Sequence, residues 1–154
     1  MIETVFNNIY EKFKINFYKH IFNGFEQSDT ALTALESFYV EVIYVLQRPT
    51  INELANFLNM SQPNVAYKIG CLVKKGYIKK IQSQIDKREF YLEVTEKFYE
   101  YYNIKNEYVK LVLSRLKYKF SENDIKQFEN MLNVINEELM PEINNFIRKK
   151  YELM

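Results

Sequence analysis

The sequence has one cysteine, one histidine, three glycines and three prolines in 154 residues, and each shortage excludes something. A lone Cys71 cannot close an internal disulfide, which suits a reducing compartment. His20 has no second histidine, and Cys71 lies far away in sequence, so the nitrogen and sulfur donors that zinc prefers are missing. No metal and no cofactor is expected. Neither a Gly-rich phosphate loop nor a serine in a nucleophile elbow occurs, and His20 has no evident partner for acid–base work, so no enzyme is expected. No apolar run approaches the roughly 20 residues needed to cross a bilayer. Glu3, Glu11, Lys12 and Lys14 break up the N-terminal apolar residues, which is not a secretory pattern. The expected location is the cytoplasm, with no membrane partner.

Overall charge is also scarce, with 21 basic against 20 acidic residues. That balance gives no global attraction to nucleic acid, but the distribution is uneven. Between Ser61 and Arg88 stand Lys68, Lys74, Lys75, Lys79, Lys80, Lys87 and Arg88 against Asp86 alone, a local net charge of +6. A solvated charged face is the bland account of such a stretch. The length fits one domain spanning 1–154, and 47% hydrophobic residues can bury one core.

With so few breakers, long stretches keep helical periodicity. Ile2, Val5, Phe6, Ile9, Phe13, Phe17, Ile21 and Phe25 recur mostly at three- and four-residue steps, one apolar stripe on a long first helix. Thr33 with Glu36 forms a capping-box signature for a helix carrying Leu35, Tyr39, Val42, Ile43 and Leu46. Thr50 with Glu53 repeats it for a short helix through about Leu58. The next helix is expected from about Ser61 to Lys75, with Ser61 as N-cap, Pro63 in the first turn and Gly76 as the stop. Tyr77–Gln82 and Glu89–Val94 read as two strands around the polar turn 83–88. In the second, Phe90, Leu92 and Val94 alternate with Glu89, Tyr91 and Glu93. One long helix follows Thr95 to about Lys119. Ser121 with Asp124 caps another to about Leu139, and after Pro141 a short helix runs to about Tyr151.

The expected fold class is mainly α with a small β-hairpin wing: a winged helix-turn-helix over 33–95 flanked by helical regions 1–30 and 96–154. The second helix of such a motif enters the major groove. At about 100° per residue, Val65, Ile69, Leu72 and Val73 fall on the core side. Asn64, Tyr67, Cys71 and Lys74 fall opposite, with Ser61, Gln62 and Lys68 at the flanks. Asn64 or Gln62 suits an adenine edge, Tyr67 a base or phosphate, and Lys68 a phosphate. The helix N-terminus offers amides to another phosphate.

Residues 32–97 resemble the MarR family of bacterial transcriptional regulators. Leu32-Thr33, Glu53-Leu54-Ala55, Ser61, Leu72 and Gly76-Tyr77-Ile78 stand where that family's pattern puts them. Asp86-Lys87-Arg88 resembles its wing signature, and Val94-Thr95-Glu96-Lys97 its closing element. The resemblance implies that Arg88 reaches into the minor groove of double-stranded DNA while Asp86 helps hold it. A narrow minor groove concentrates the negative potential that attracts an arginine. It also implies a homodimer built by the flanking helices, more often a repressor, acting on a near-palindrome. A small aromatic or amphipathic effector would bind between arms and winged domain. The chain departs from the family at Tyr67 and Cys71, where many relatives carry arginine, and at Ala66, Lys80 and Phe98. Those departures motivate an alternative: a winged-helix protein-interaction module without specific DNA binding.

Three features have plainer readings. Cys71 on the exposed face suggests a redox switch, or an inert small residue. Phe6, Phe13, Phe17, Phe22, Tyr101, Tyr108 and Phe128 suit an effector pocket, or ordinary core and dimer seam. Gly70 costs its helix roughly 1 kcal/mol against alanine, either for close approach to DNA or for a neighbouring helix.

Overall fold

The structure, a computed structural model, describes residues 1–25 and 31–148, and among these the side chains of 21–25, 104, 105 and 148 are left aside. The end of the terminal helix expected near Tyr151, and the side chains of Ile21, Phe22 and Phe25, therefore lie outside the described residues. The chain divides into two compact units, one of residues 1–31 and 100–133 and one of 32–99 and 134–154.

The first unit is helical. It holds α1 (Ile2–Phe25), most of α5 (Glu96–Lys119) and most of α6 (Glu122–Glu138). The aromatic steps of α1 have partners on α5: Phe17 meets Tyr101 edge-on with centroids 5.6 Å apart, and Phe13 meets Tyr108 at the same distance. Phe17 and Tyr101 are buried, whereas Ile2, Val5, Phe6 and Ile9 remain exposed, as does Phe128 on α6. Between α5 and α6, the Ser121 hydroxyl donates to Asp124 Oδ2 at 2.6 Å while the Asp124 amide donates to Ser121 Oγ at 3.2 Å. This is the cap expected from their spacing.

The second unit is the winged helix-turn-helix. Its helices are α2 (Ala34–Leu46), α3 (Ile51–Leu58) and α4 (Gln62–Lys74), followed by β1 (Ile78–Gln82) and β2 (Phe90–Val94), with α7 (Pro141–Arg148) added from the C-terminal region. Both expected capping boxes close. Glu36 N–H donates to Thr33 Oγ1 at 3.2 Å and Thr33 N–H to Glu36 Oε2 at 2.8 Å; at Thr50 and Glu53 the two distances are 3.1 and 2.7 Å. Asn59 ends α3 in the left-handed region at φ 51°, which an Asn adopts at low cost. Gly76 turns the chain out of α4 at φ 84°, a conformation a side chain would disfavour.

The hairpin is antiparallel, pairing Ile78 with Val94, Lys80 with Leu92 and Gln82 with Phe90. Its free edge is covered: Leu92 N–H donates to Pro49 O at 2.8 Å, and Thr50 bridges to Tyr91. Val40, Ile43, Leu54, Val65, Ile69, Leu72 and Leu92 are all buried. The strands begin one residue later than expected, because the Tyr77 amide closes α4 onto Leu72 O and the Glu89 amide closes the wing turn onto Asp86 O. Phe90, assigned by alternation to the apolar face, is 40% exposed at the wing end of its strand. Leu35 and Val73 are also exposed, each lying one helical step beyond the buried stripe of its helix. Asn144 Nδ2 donates to the Asn136 and Glu137 carbonyls at 2.7 and 3.2 Å, satisfying acceptors at the end of α6. Phe146 meets Phe57 edge-on at 5.0 Å and fixes α7 against α3. Among the described residues no helix is long and apolar enough to cross a membrane.

Candidate nucleic-acid interface

Helix α4 is anchored by its back. Val65, Ile69 and Leu72 are fully buried, whereas Ser61, Gln62, Asn64, Tyr67 and Lys74 are exposed and Lys68 and Cys71 half-buried. Tyr67 stands 71% exposed, with Lys68 Nζ 5.9 Å from its ring centroid. Asn64 has no hydrogen-bond partner among the described residues. Gln62 differs, since its Nε2 donates to Asn52 Oδ1 on α3 at 2.7 Å.

The start of α4 is built unlike those of α2 and α3. Ser61 occupies the N-cap position, but its hydroxyl makes no cap bond. An N-cap oxygen accepts from the second or third helical amide, and here the second residue is Pro63, which has no N–H. No acidic side chain stands in the first turn. The positive end of the helix dipole is therefore uncompensated and open to an anion.

The wing tip is held by its own hydrogen bonds. Buried Ser83 accepts at Oγ from the amides of Ile85 and Asp86, both at 3.2 Å. Ser83 N–H donates to Glu89 O at 3.0 Å, and Gln82 Nε2 donates to Lys87 O at 2.7 Å. On this frame Asp86 Oδ1 accepts from the Arg88 amide at 2.9 Å and from its Nε at 3.1 Å, while Oδ2 accepts from Nη2 at 2.9 Å. Those guanidinium bonds hold the Asp86 carboxyl below its usual value, and the carboxylate in turn raises that of Arg88. The Arg88 side chain is nonetheless 90% exposed. It is oriented but not covered.

The basic stretch sorts into two groups. Lys75 Nζ pairs with Glu36 Oε2 at 2.8 Å, and Lys79 pairs with Glu93 at 2.9 Å. Lys68, Lys74, Lys80 and Lys87 have no acidic partner among the described residues. The free positive charge thus lies on α4 and the hairpin, where the candidate residues are.

Sequence reasoning missed a second constellation. Glu93 Oε1 also accepts from Arg48 Nε at 2.6 Å, and that guanidinium lies 5.6 Å from the Tyr91 centroid. Arg48 is held at φ 68°, directly after Gln47 at φ 54°. Two successive non-glycine residues in the left-handed region are costly. The ion pair and ring contact hold this corner to the hairpin. Tyr44, Arg48, Glu93 and Tyr99 line an open cleft of about 440 Å³ here. No sequence signal marked it, because the partners are about 45 residues apart.

Residues 32–90 match the model of the MarR family. Comparison with curated proteins gave no match. Among solved structures, a transcriptional regulator of Thermotoga maritima is 16% identical, with 98% of this chain and 96% of that one covered, at a TM-score of 0.62. The adhesin competence repressor AdcR of Streptococcus pyogenes is 25% identical over 90% and 98%, at 0.50. FabT of Streptococcus pneumoniae, solved in complex with DNA, is 21% identical over 90% and 92%, at 0.55. The sequence match and the architecture coincide: residues 32–90 match the MarR family model, and they form most of the winged helix-turn-helix described above.

Proposed function

We propose that the chain is a homodimeric, sequence-specific DNA-binding repressor that acts on a near-palindromic operator. The observation that carries this reading is the state of Arg88, oriented through three hydrogen bonds to Asp86 yet 90% exposed. A folded chain gains little from fixing so exposed an ion pair. An arginine aimed at a partner gains pre-organisation. Beside it, α4 offers Asn64 and Tyr67 to base edges, Ser61 and the first-turn amides to a phosphate, and Lys68, Lys74 and Lys87 to the backbone. Gln62 contributes through its side-chain oxygen while its nitrogen stays on Asn52.

Residues 1–30 and 96–154 supply the dimer seam in this account, which gives the exposed apolar stripe of Ile2, Val5, Phe6 and Ile9 a partner. Two copies of α4 then meet successive major grooves about 34–36 Å apart. Occupancy of a promoter blocks polymerase. Binding of a small aromatic or amphipathic effector changes the spacing of the two helices and releases the DNA. FabT, a protein of like fold, was solved with DNA, and AdcR is named a repressor.

A gel shift with the region upstream of the chain's own coding sequence, at stated salt, tests the reading. Specific retardation of a near-palindrome is the expected result. Weak, salt-labile retardation of any duplex favours a protein-interaction module instead. Tyr67 and Cys71, which stand where family members often carry arginine, are the observation behind that second reading.

A further inference from the structure

Gly70 lies in the interior of α4 on its exposed side, and a Cβ built there would meet nothing within 4 Å. Its backbone is not in the positive-φ region, so conformation does not require glycine. Packing within the chain does not require it either. A glycine at such a position weakens the helix, so the fold alone gives no reason for it. The neighbours on its face are Tyr67, one turn before, and Lys74, one turn after. Helix α4 has no acidic residue, and Lys74 has no acidic partner among the described residues.

Resting on the DNA-binding reading above, we propose that Gly70 is a close-approach position at which the sugar–phosphate backbone of duplex DNA lies directly against α4. The missing side chain lets a groove wall reach the helix surface, and Lys74 neutralises the phosphate brought in there. Just over two turns into the helix, the contact sets the depth of docking and carries no base information. It differs in this from Asn64 near the helix start. In the dimeric reading above the seam lies on other elements, which leaves this face to the DNA.

The substitution Gly70→Ala separates the two roles a glycine can have, because alanine strengthens the helix while filling the gap. The full-length wild type and variant are titrated by fluorescence anisotropy against the retarded near-palindrome and a scrambled duplex of equal length, and both proteins are melted. The melting temperature should rise by about 2–4 °C. Affinity for both duplexes should fall about tenfold. A higher melting temperature with unchanged affinity overturns the proposal, and so does a loss confined to the near-palindrome, which would make Gly70 a base-reading position. A wild type that binds neither duplex overturns the DNA-binding reading itself. Wild-type binding with an indifferent variant overturns only the assignment of Gly70.

Discussion

Asp86 and Arg88, two residues apart at the wing tip, are joined by three hydrogen bonds: one from the Arg88 backbone amide at 2.9 Å, and two from its guanidinium at 3.1 and 2.9 Å that fix the guanidinium plane. The pair is too exposed to stabilise the fold, so its effect should appear in binding. Asp86→Asn keeps one acceptor but loses the charge-assisted pairing with Nη2. We expect its melting temperature to match the wild type and its DNA affinity to drop severalfold, as read by anisotropy at fixed salt. Because Arg88 holds the Asp86 carboxyl below its usual value, the pair should stay intact across the neutral and mildly acidic range and fail only as pH falls through that lowered value.

Asn64 and Lys74 should fail in different ways. Asn64→Ala is expected to relax preference at one position of each half-site, measured by selecting bound sequences from a random pool. Lys74→Ala should leave preference alone, weaken binding to every duplex and reduce the salt slope by about one. Identical selected sequences for the wild type and Asn64→Ala would remove Asn64 as a reader.

The caps offer a contrast within one fold. Thr50→Ala breaks a closed capping box and should cost about 1 kcal/mol of stability. Ser61→Ala removes a hydroxyl that bonds nothing in its helix, so its unfolding midpoint should not move while its DNA affinity falls. A stability loss at Ser61 equal to that at Thr50 would make it an ordinary cap.

Glu36 sets part of the acid limit of stability. Burial pushes its carboxyl up, but the Lys75 ammonium and the amide and hydroxyl of Thr33 outweigh that and hold it below the usual carboxylate value. A carboxylate lowered on folding adds stability above its unfolded pKa, and that stability is lost as pH falls through the folded value. Glu36→Gln should therefore cost on the order of 1.5–3 kcal/mol at neutral pH and flatten the acid limb of a denaturant-stability profile.

Much of the fold was legible because its signals are local. Thr33 with Glu36, Thr50 with Glu53 and Ser121 with Asp124 are each three residues apart, and each closes as its spacing implies. Ser61 looked like another such cap, yet the proline two residues on removed one of the amides its hydroxyl would bond. Leu35 and Val73 show that a 100° wheel finds the centre of a buried stripe but not its width, which depends on what packs against it. Asp86 and Arg88 were legible through a family resemblance, and their hydrogen bonds give that resemblance a physical form. The Arg48–Glu93–Tyr91 corner had no signal, since its partners meet only once the hairpin folds back on the segment before α3. The engagement of Gln62 by Asn52 was hidden because it depends on how α3 and α4 pack against each other across their turn. Gly70 was visible as an oddity, and only the open space around it separated the explanations.

The central claim is tested most directly by anisotropy titration of the wild type and Arg88→Ala on a near-palindromic fragment from the upstream region and on its scrambled counterpart. The titrations are run at two salt concentrations. The account predicts that the wild type prefers the near-palindrome by at least roughly a thousandfold and that Arg88→Ala weakens both complexes with a shallower salt slope. Equal, weak binding of both duplexes by the wild type, unchanged in Arg88→Ala, would contradict it.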